Sequence, residues 1–128
     1  LDPVVYNRCL YVVSEKTRIL EAVEALEQGD IVRLGQLMYA THAGLQHLYE
    51  VSCEELDFLV DQAGKYSCVT GARMMGGGFG GCTINLVRED GAERFFKEVS
   101  EAYKQKFNKN LTIFTVTPSE GTKVLTTE

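Results

Sequence analysis

The stretch Gly71–Val87, GARMMGGGFGGCTINLV, decides how the rest of the chain is read. Five of the six residues from Gly76 to Gly81 are glycine, and an alternating run follows at once. In that run Cys82, Ile84 and Leu86 alternate with Thr83, Asn85 and Val87, the period-two pattern of a strand. The run before the glycines, CVTGARMM, is β-rich as well. A two-residue turn suffices to join two strands, so five glycines exceed what a hairpin needs. Glycine admits positive φ and lets another group come close. Successive N–H groups turned inward make a nest for an anion. The residues therefore favour a loop beside a ligand over a merely flexible connection.

Two familiar phosphate-binding patterns fail here. Gly76, Gly78 and Gly81 have the spacing G-x-G-x-x-G, but that fingerprint needs a helix after it and a strand follows. No Lys-Ser or Lys-Thr ends the run, so the Walker loop is absent too.

Working outward, three helices are expected before the hairpin. The first fills LDPVVYNRCLYVVSEKTRILEAVEALEQGD, capped by Asp2, with Pro3 at its first position and Gly29 at its end. Val5, Cys9, Val12, Ile19, Val23 and Leu26 recur every three or four residues and predict its buried face, with Lys16 interrupting the seam. Asp30 caps the second helix, IVRLGQLMYATHAGLQHLYE, with Ile31, Leu34, Met38, Thr41, Leu45 and Leu48 inward. The two should pack as an antiparallel hairpin. SCEELDFLVDQAG is the third helix, with Ser52 and Glu55 at capping-box spacing and Gly64 as its stop.

Beyond the hairpin, REDG reads as a turn. AERFFKEVSEAYKQKF reads as a helix with Phe95, Phe96, Val99, Tyr103 and Phe107 inward. LTIFTVTPS reads as a closing strand stopped by Pro118, and EGTKVLTTE as a loosely held tail. The order is α-α-α-β-β-α-β. One strand placed ahead would complete the split unit of a ferredoxin-like α+β fold. The chain starts at Leu1 rather than Met, so the expectation is that it was cut from something longer and that the leading strand lies upstream.

The 128 residues suit one domain, assigned to 1–128. Thirteen basic and 18 acidic residues leave a net charge of −5, and the basic residues are scattered, which argues against nucleic acid as a partner. No apolar run reaches the ~18 residues of a membrane span, and no signal peptide opens the chain. Cys9, Cys53, Cys68 and Cys82 form no CxxC pair, so no zinc site is indicated; they read as buried thiols in a reducing compartment.

The glycine stretch resembles the third signature of the GHMP kinases, most closely its galactokinase form, R-M-T-G-G-G-F-G-G-C. LDPVVYNRCLYVVSE, LEAVEALEQGD, THAGLQHLYEVSCEELDFLV and TVTPSEG are similar to the surrounding galactokinase C-terminal region. The resemblance covers about Asp2 to Gly121. It implies a cytoplasmic enzyme that transfers the γ-phosphoryl group of ATP, with Mg²⁺, to the C1 hydroxyl of α-D-galactose in a cleft between two domains. It places Gly76, Gly77, Gly78, Phe79, Gly80 and Gly81 beside the phosphates, with Arg73 and Met75 as further cleft-facing candidates. Met75 stands where the family usually has Thr, and Tyr11 where many members carry His.

The galactose signature G-R-x-N-L-I-G-E-H-x-D-Y, the Ser-rich phosphate loop and the catalytic Asp with its Arg are absent from this sequence. The chain is therefore expected to hold no catalytic residue and no metal ligand, to bind no cofactor alone, and to work only with its own N-terminal domain. Other GHMP kinases, acting on N-acetylgalactosamine, homoserine or mevalonate, are the rival reading within the enzyme class. A free-standing ferredoxin-like module that binds a ligand or partner is the rival outside it.

The remaining polar candidates have plainer readings. Arg73 is expected to pair with an acidic neighbour more readily than with phosphate. His42 and His47, five apart on one helix, do not share a face and read as partly exposed. Glu54, Glu55, Asp57 and Asp61 read as a favourable helix start and a solvated face. Lys65 has reach toward the cleft, but nothing requires it there.

Overall fold

Asp2 and Pro3 begin the first helix as their chemistry dictates. In the computed structural model, which describes residues 1–126, the Asp2 side chain accepts from the N–H groups of Val4 and Val5, and α1 spans Pro3–Gln28. Gly29 ends it at φ 70 and turns its N–H back to Ala25 and Leu26. Asp30 Oδ1 accepts the Arg33 N–H at 3.0 Å and opens α2, Ile31–Gly44. A single π-type turn, Leu45–Tyr49, extends α2 and stops at Glu50, a non-glycine residue at φ 57. Next come α3 (Glu54–Ala63), β1 (Val69–Met75), β2 (Cys82–Val87) and α4 (Glu89–Phe107). The strands are antiparallel, in register from Val69 opposite Val87 to Met75 opposite Cys82, with a bulge between Val69 and Gly71.

The core lies where α3 and α4 meet the strands. Val60, Ala63, Cys68, Val69, Ala72, Phe95 and Val99 are buried together, with Tyr39, Tyr66 and Phe96 at their margin. Tyr66 meets Phe95 edge-on at 5.1 Å. The aromatic stripe expected on the last helix thus divides: Phe95 and Phe96 join the core with the strands, while Tyr103 and Phe107 pack against Phe58 of α3.

Two glycines set the position of α2. A Cβ on Gly35 would strike the Thr70 carbonyl, and one on Gly71 would lie 2.5 Å from the Gly35 Cα. Backbone therefore touches backbone, and α2 lies close along β1. Seven helical residues from Gly35 advance about 10.5 Å. Three strand residues from Gly71 advance about 10 Å. The next crossing on this track is His42 against Met74.

Several expectations are corrected. The apolar stripe of α1 faces outward: Val12 is 55% and Leu26 57% exposed, and Val5, Ile19 and Val23 are exposed as well. The inward stripe carries Tyr11, Ala25, Arg8, Glu15 and Arg18. Periodicity marks a sticky face but cannot say whether its cover lies in the same stretch of chain, and α2 meets the polar side. Glu15 accepts the Thr41 hydroxyl there and pairs with Arg18. On α2 the buried set is Gly35, Leu37, Thr41, His42 and Gly44, rotated toward β1, while Ile31 is exposed.

The Ser52–Glu55 capping box does not form. Cys53 occupies the cap position of α3, and the Ser52 hydroxyl bonds Asp57 instead. REDG is not a separate turn, because α4 already begins at Glu89. Cys68 is buried as expected, but Cys9 and Cys82 are exposed and Cys53 is half-buried; all four thiols are free.

The closing strand is also absent. Residues 111–118 carry no ladder, and Phe114 is 75% exposed. In a split β-α-β unit the two strands joined by a helix are separated by a third strand between them. Among the described residues no strand occupies that slot beside β2, so the segment after α4 has nothing to pair with.

Candidate functional site

The hairpin loop follows from the ladder. Met75 and Cys82 are the last pair, so Gly76 to Gly81 form a six-residue connection. Gly76, Gly78, Phe79, Gly80 and Gly81 all take positive φ. That conformation costs residues with a Cβ, which explains the glycines. Phe79 is the exception, held at φ 59 with its ring 75% exposed.

The loop is held at two points. At its tip, the Phe79 N–H donates to the Val51 carbonyl at 2.6 Å. Gly78 lies so close to that carbonyl that no side chain fits, and its φ is 89. At its base, the Met74 N–H donates to His42 Nδ1 at 3.0 Å. Of the six loop amides, only that of Phe79 has an intramolecular acceptor outside the strand ladder. The other five have none, and all five belong to glycines, which carry no side chain. Such a surface can approach a phosphate closely and donate hydrogen bonds to it.

The segment that holds the tip is itself braced. Arg8 of α1 donates to the Leu48 carbonyl at 2.5 Å and pairs with Glu50 at 2.8 Å. Tyr11 packs against Tyr49, with ring centroids 5.1 Å apart. Burial, and then the charge of Glu15, raise the Tyr11 phenol above its ordinary value. The π-type turn and Glu50 thereby carry Val51 to the loop.

The predicted site residues divide. Gly76, Gly77, Gly78, Phe79, Gly80 and Gly81 form one contiguous loop surface. Met75 is 42% exposed at its edge. Arg73 is half-buried and donates to the Met74 carbonyl at 3.0 Å; it has no acidic partner among the described residues, contrary to expectation. Lys65 lies in a surface groove with Arg88, Asp90 and Glu98 rather than at the loop. No three His, Cys, Asp or Glu side chains gather as a metal-ligating group among the described residues.

Sequence reasoning missed His42. It is 3% exposed, not partly exposed, while His47 is exposed as expected. Its Nε2 lies 2.9 Å from Asp57 Oδ1, which also accepts the Ser52 hydroxyl at 2.6 Å. Asp57 is therefore more than part of a solvated face. The only signal in the sequence was the matched spacing of His42 from Gly35 and Met74 from Gly71. It becomes readable only once the two glycines are known to touch.

Residues 22–105 match the family described as GHMP kinases C terminal. The chain is 40% identical over 121 residues to a galactokinase of Thermotoga neapolitana, covering 94% of this chain and 35% of that protein. It is 43% identical over 122 residues to a galactokinase of Clostridium beijerinckii, covering 95% and 31%. Among solved structures, Lactococcus lactis galactokinase complexed with galactose superposes with a TM-score of 0.82 at 38% identity, over 85% of this chain and 28% of that one. The chain thus spans about a third of the length of the curated relatives it matches.

Proposed function

We propose, for a chain that belongs to the GHMP kinases through their C-terminal domain, that it is the C-terminal domain of a galactokinase. The reaction is transfer of the γ-phosphoryl group of ATP to the C1 hydroxyl of α-D-galactose. The observation that carries this reading is the glycine hairpin. The six-residue loop is anchored at Met74 and Val51, and its five glycine amides have no intramolecular acceptor outside the strand ladder, within a chain about 40% identical to galactokinases along nearly all of its length.

Phosphoryl transfer needs positioning and charge stabilisation more than covalent chemistry from the protein. Gly76, Gly77, Gly78, Gly80 and Gly81 supply a wall that comes close to the phosphates, and their amides donate to the oxygens where charge develops. Phe79 contributes its amide to the anchor instead. Kinase chemistry implies ATP. Mg²⁺, where it accompanies the phosphates, finds no ligand cluster among the described residues. Catalytic acid–base groups and sugar contacts belong to an N-terminal domain, the proposed partner of this chain. Four free thiols are consistent with a cytoplasmic site of action. No helix among the described residues is long and apolar enough to cross a membrane.

The test is galactose-dependent ADP release by the full-length protein, side by side with this chain alone. Turnover by the full-length protein and none by the chain is the expected result. Turnover by the isolated chain, or none by either, overturns the reading.

A further inference from the structure

We infer that His42, Asp57 and Ser52 are positioning residues for phosphoryl transfer, forming a clamp that holds the glycine hairpin at its base and at its tip from one half-buried carboxylate oxygen. This rests on the kinase reading above and goes beyond it in naming residues outside the loop.

The bonds form a continuous path. The Met74 N–H donates to His42 Nδ1 at 3.0 Å. A backbone amide has only a proton to offer, so Nδ1 is the acceptor and the ring carries its proton on Nε2. Nε2–H then donates to Asp57 Oδ1 at 2.9 Å. The same oxygen accepts the Ser52 hydroxyl at 2.6 Å. Ser52 follows Val51, whose carbonyl accepts the Phe79 N–H at 2.6 Å. The path therefore leaves the hairpin at its base, passes through Asp57, and returns to its tip. His42 is 3% exposed, Met74 is buried, and Asp57, Ser52 and Val51 are half-buried, so water competes weakly with the bonds that lead from the base of the hairpin.

The composition Ser, His, Asp invites a nucleophilic reading, and the geometry excludes it. In a catalytic triad the base takes the proton of the hydroxyl and the carboxylate orients the base. Here Ser52 and His42 both donate to Asp57, and no bond joins Ser52 to His42. The hydroxyl has no imidazole to pass its proton to, so the arrangement is not a triad, and the role it can fill for the hairpin is orientation.

Orientation matters because the loop has little stiffness of its own. Five of its six residues are glycine, and outside the ladder it has one intramolecular hydrogen bond. Misplacing a group beside a transferring phosphoryl by about 1 Å costs on the order of 100-fold in rate.

The experiment uses the full-length protein with His42→Gln, His42→Asn and the milder Ser52→Ala. Asn keeps an acceptor at the place of Nδ1 and loses the bond to Asp57; Gln reaches Asp57 and loses the bond to Met74. The expected result is a fall in kcat of roughly 10- to 100-fold for His42→Gln. The loss is about tenfold or less for His42→Asn, and the KM values for sugar and ATP stay within about threefold throughout. Amide exchange at Met74 should speed by about tenfold or more in His42→Gln, and at Phe79 in Ser52→Ala. Nitrogen-15 NMR of the wild type should show His42 protonated at Nε2. A protonated Nδ1, unchanged exchange at both amides, or equal losses of kcat in the Asn and Gln variants would overturn the clamp. If the wild type phosphorylates no sugar, the kinase reading fails by itself, and the exchange and NMR results still decide the clamp.

Discussion

At the scale of the residue, Gly77 and Gly78 stand side by side with opposite roles. Gly78 sits at φ 89 against the Val51 carbonyl, whereas a Cβ on Gly77 meets nothing within 4 Å. Gly78→Ala combines left-handed strain of about 1–3 kcal/mol with a clash into the atom that anchors the tip. The expected outcome is faster exchange of the Phe79 amide and at least a tenfold loss of kcat in the full-length protein. Gly77→Ala should change stability by no more than about 0.5 kcal/mol. Urea melts and Phe79 amide exchange of the pair check the contrast, and similar behaviour of the two variants in both would refute the assignment of the anchor. The glycine run was legible from its composition as a loop between two strands with room for positive φ. His42 was not, since a histidine in a helix carries no mark of what it will face.

At the scale of the element, α2 depends on a contact without side chains. Gly35→Ala puts a methyl group into the Thr70 carbonyl, and backbone cannot step aside cheaply. A loss of about 1–3 kcal/mol is expected, as for overpacking in a well-filled core. The Met74 amide should exchange faster as well, because His42 rides on the same helix. Unchanged protection at Met74 would mean that the glycine contact does not set the register of His42.

The start of α3 offers a pH test. A backbone hydrogen bond at Glu55 lowers its carboxyl below the usual glutamate value, and the Lys109 ammonium adds to the effect. A lowered folded-state pKa gives stabilisation that is present above the unfolded value and is lost as pH falls through the folded one. Lys109→Ala should raise the Glu55 midpoint in an NMR titration without restoring the ordinary value, since the backbone bond is the larger cause. Full restoration would reverse that order.

At the scale of the molecule, α1 presents Val5, Val12, Val13, Ile19, Leu20, Val23 and Leu26 to solvent, and residues 111–118 lie unpaired beside α4. A continuous apolar stripe of that length is larger than soluble monomers usually expose. The isolated chain should therefore bind an apolar dye and associate with rising concentration, and the full-length protein should do neither. Light scattering that shows a monomer at every concentration would count against this, and so would equal dye binding by the two.

What the sequence determined by itself are the properties that neighbours along the chain decide. Asp2, Pro3, Gly29 and Asp30 bounded their helices because caps act within four residues. Cys82–Val87 was readable to the residue, because alternation is local to a strand. The glycine loop and its kinase signature were readable for the same reason. Tertiary structure alone decided which face of α1 is covered, whether the segment after α4 becomes a strand, and what His42, Ser52 and Asp57 do. Each of these depends on atoms far apart in the chain: a strand needs a partner edge, an apolar stripe needs a cover, and a histidine needs an amide brought to it by two glycines in contact.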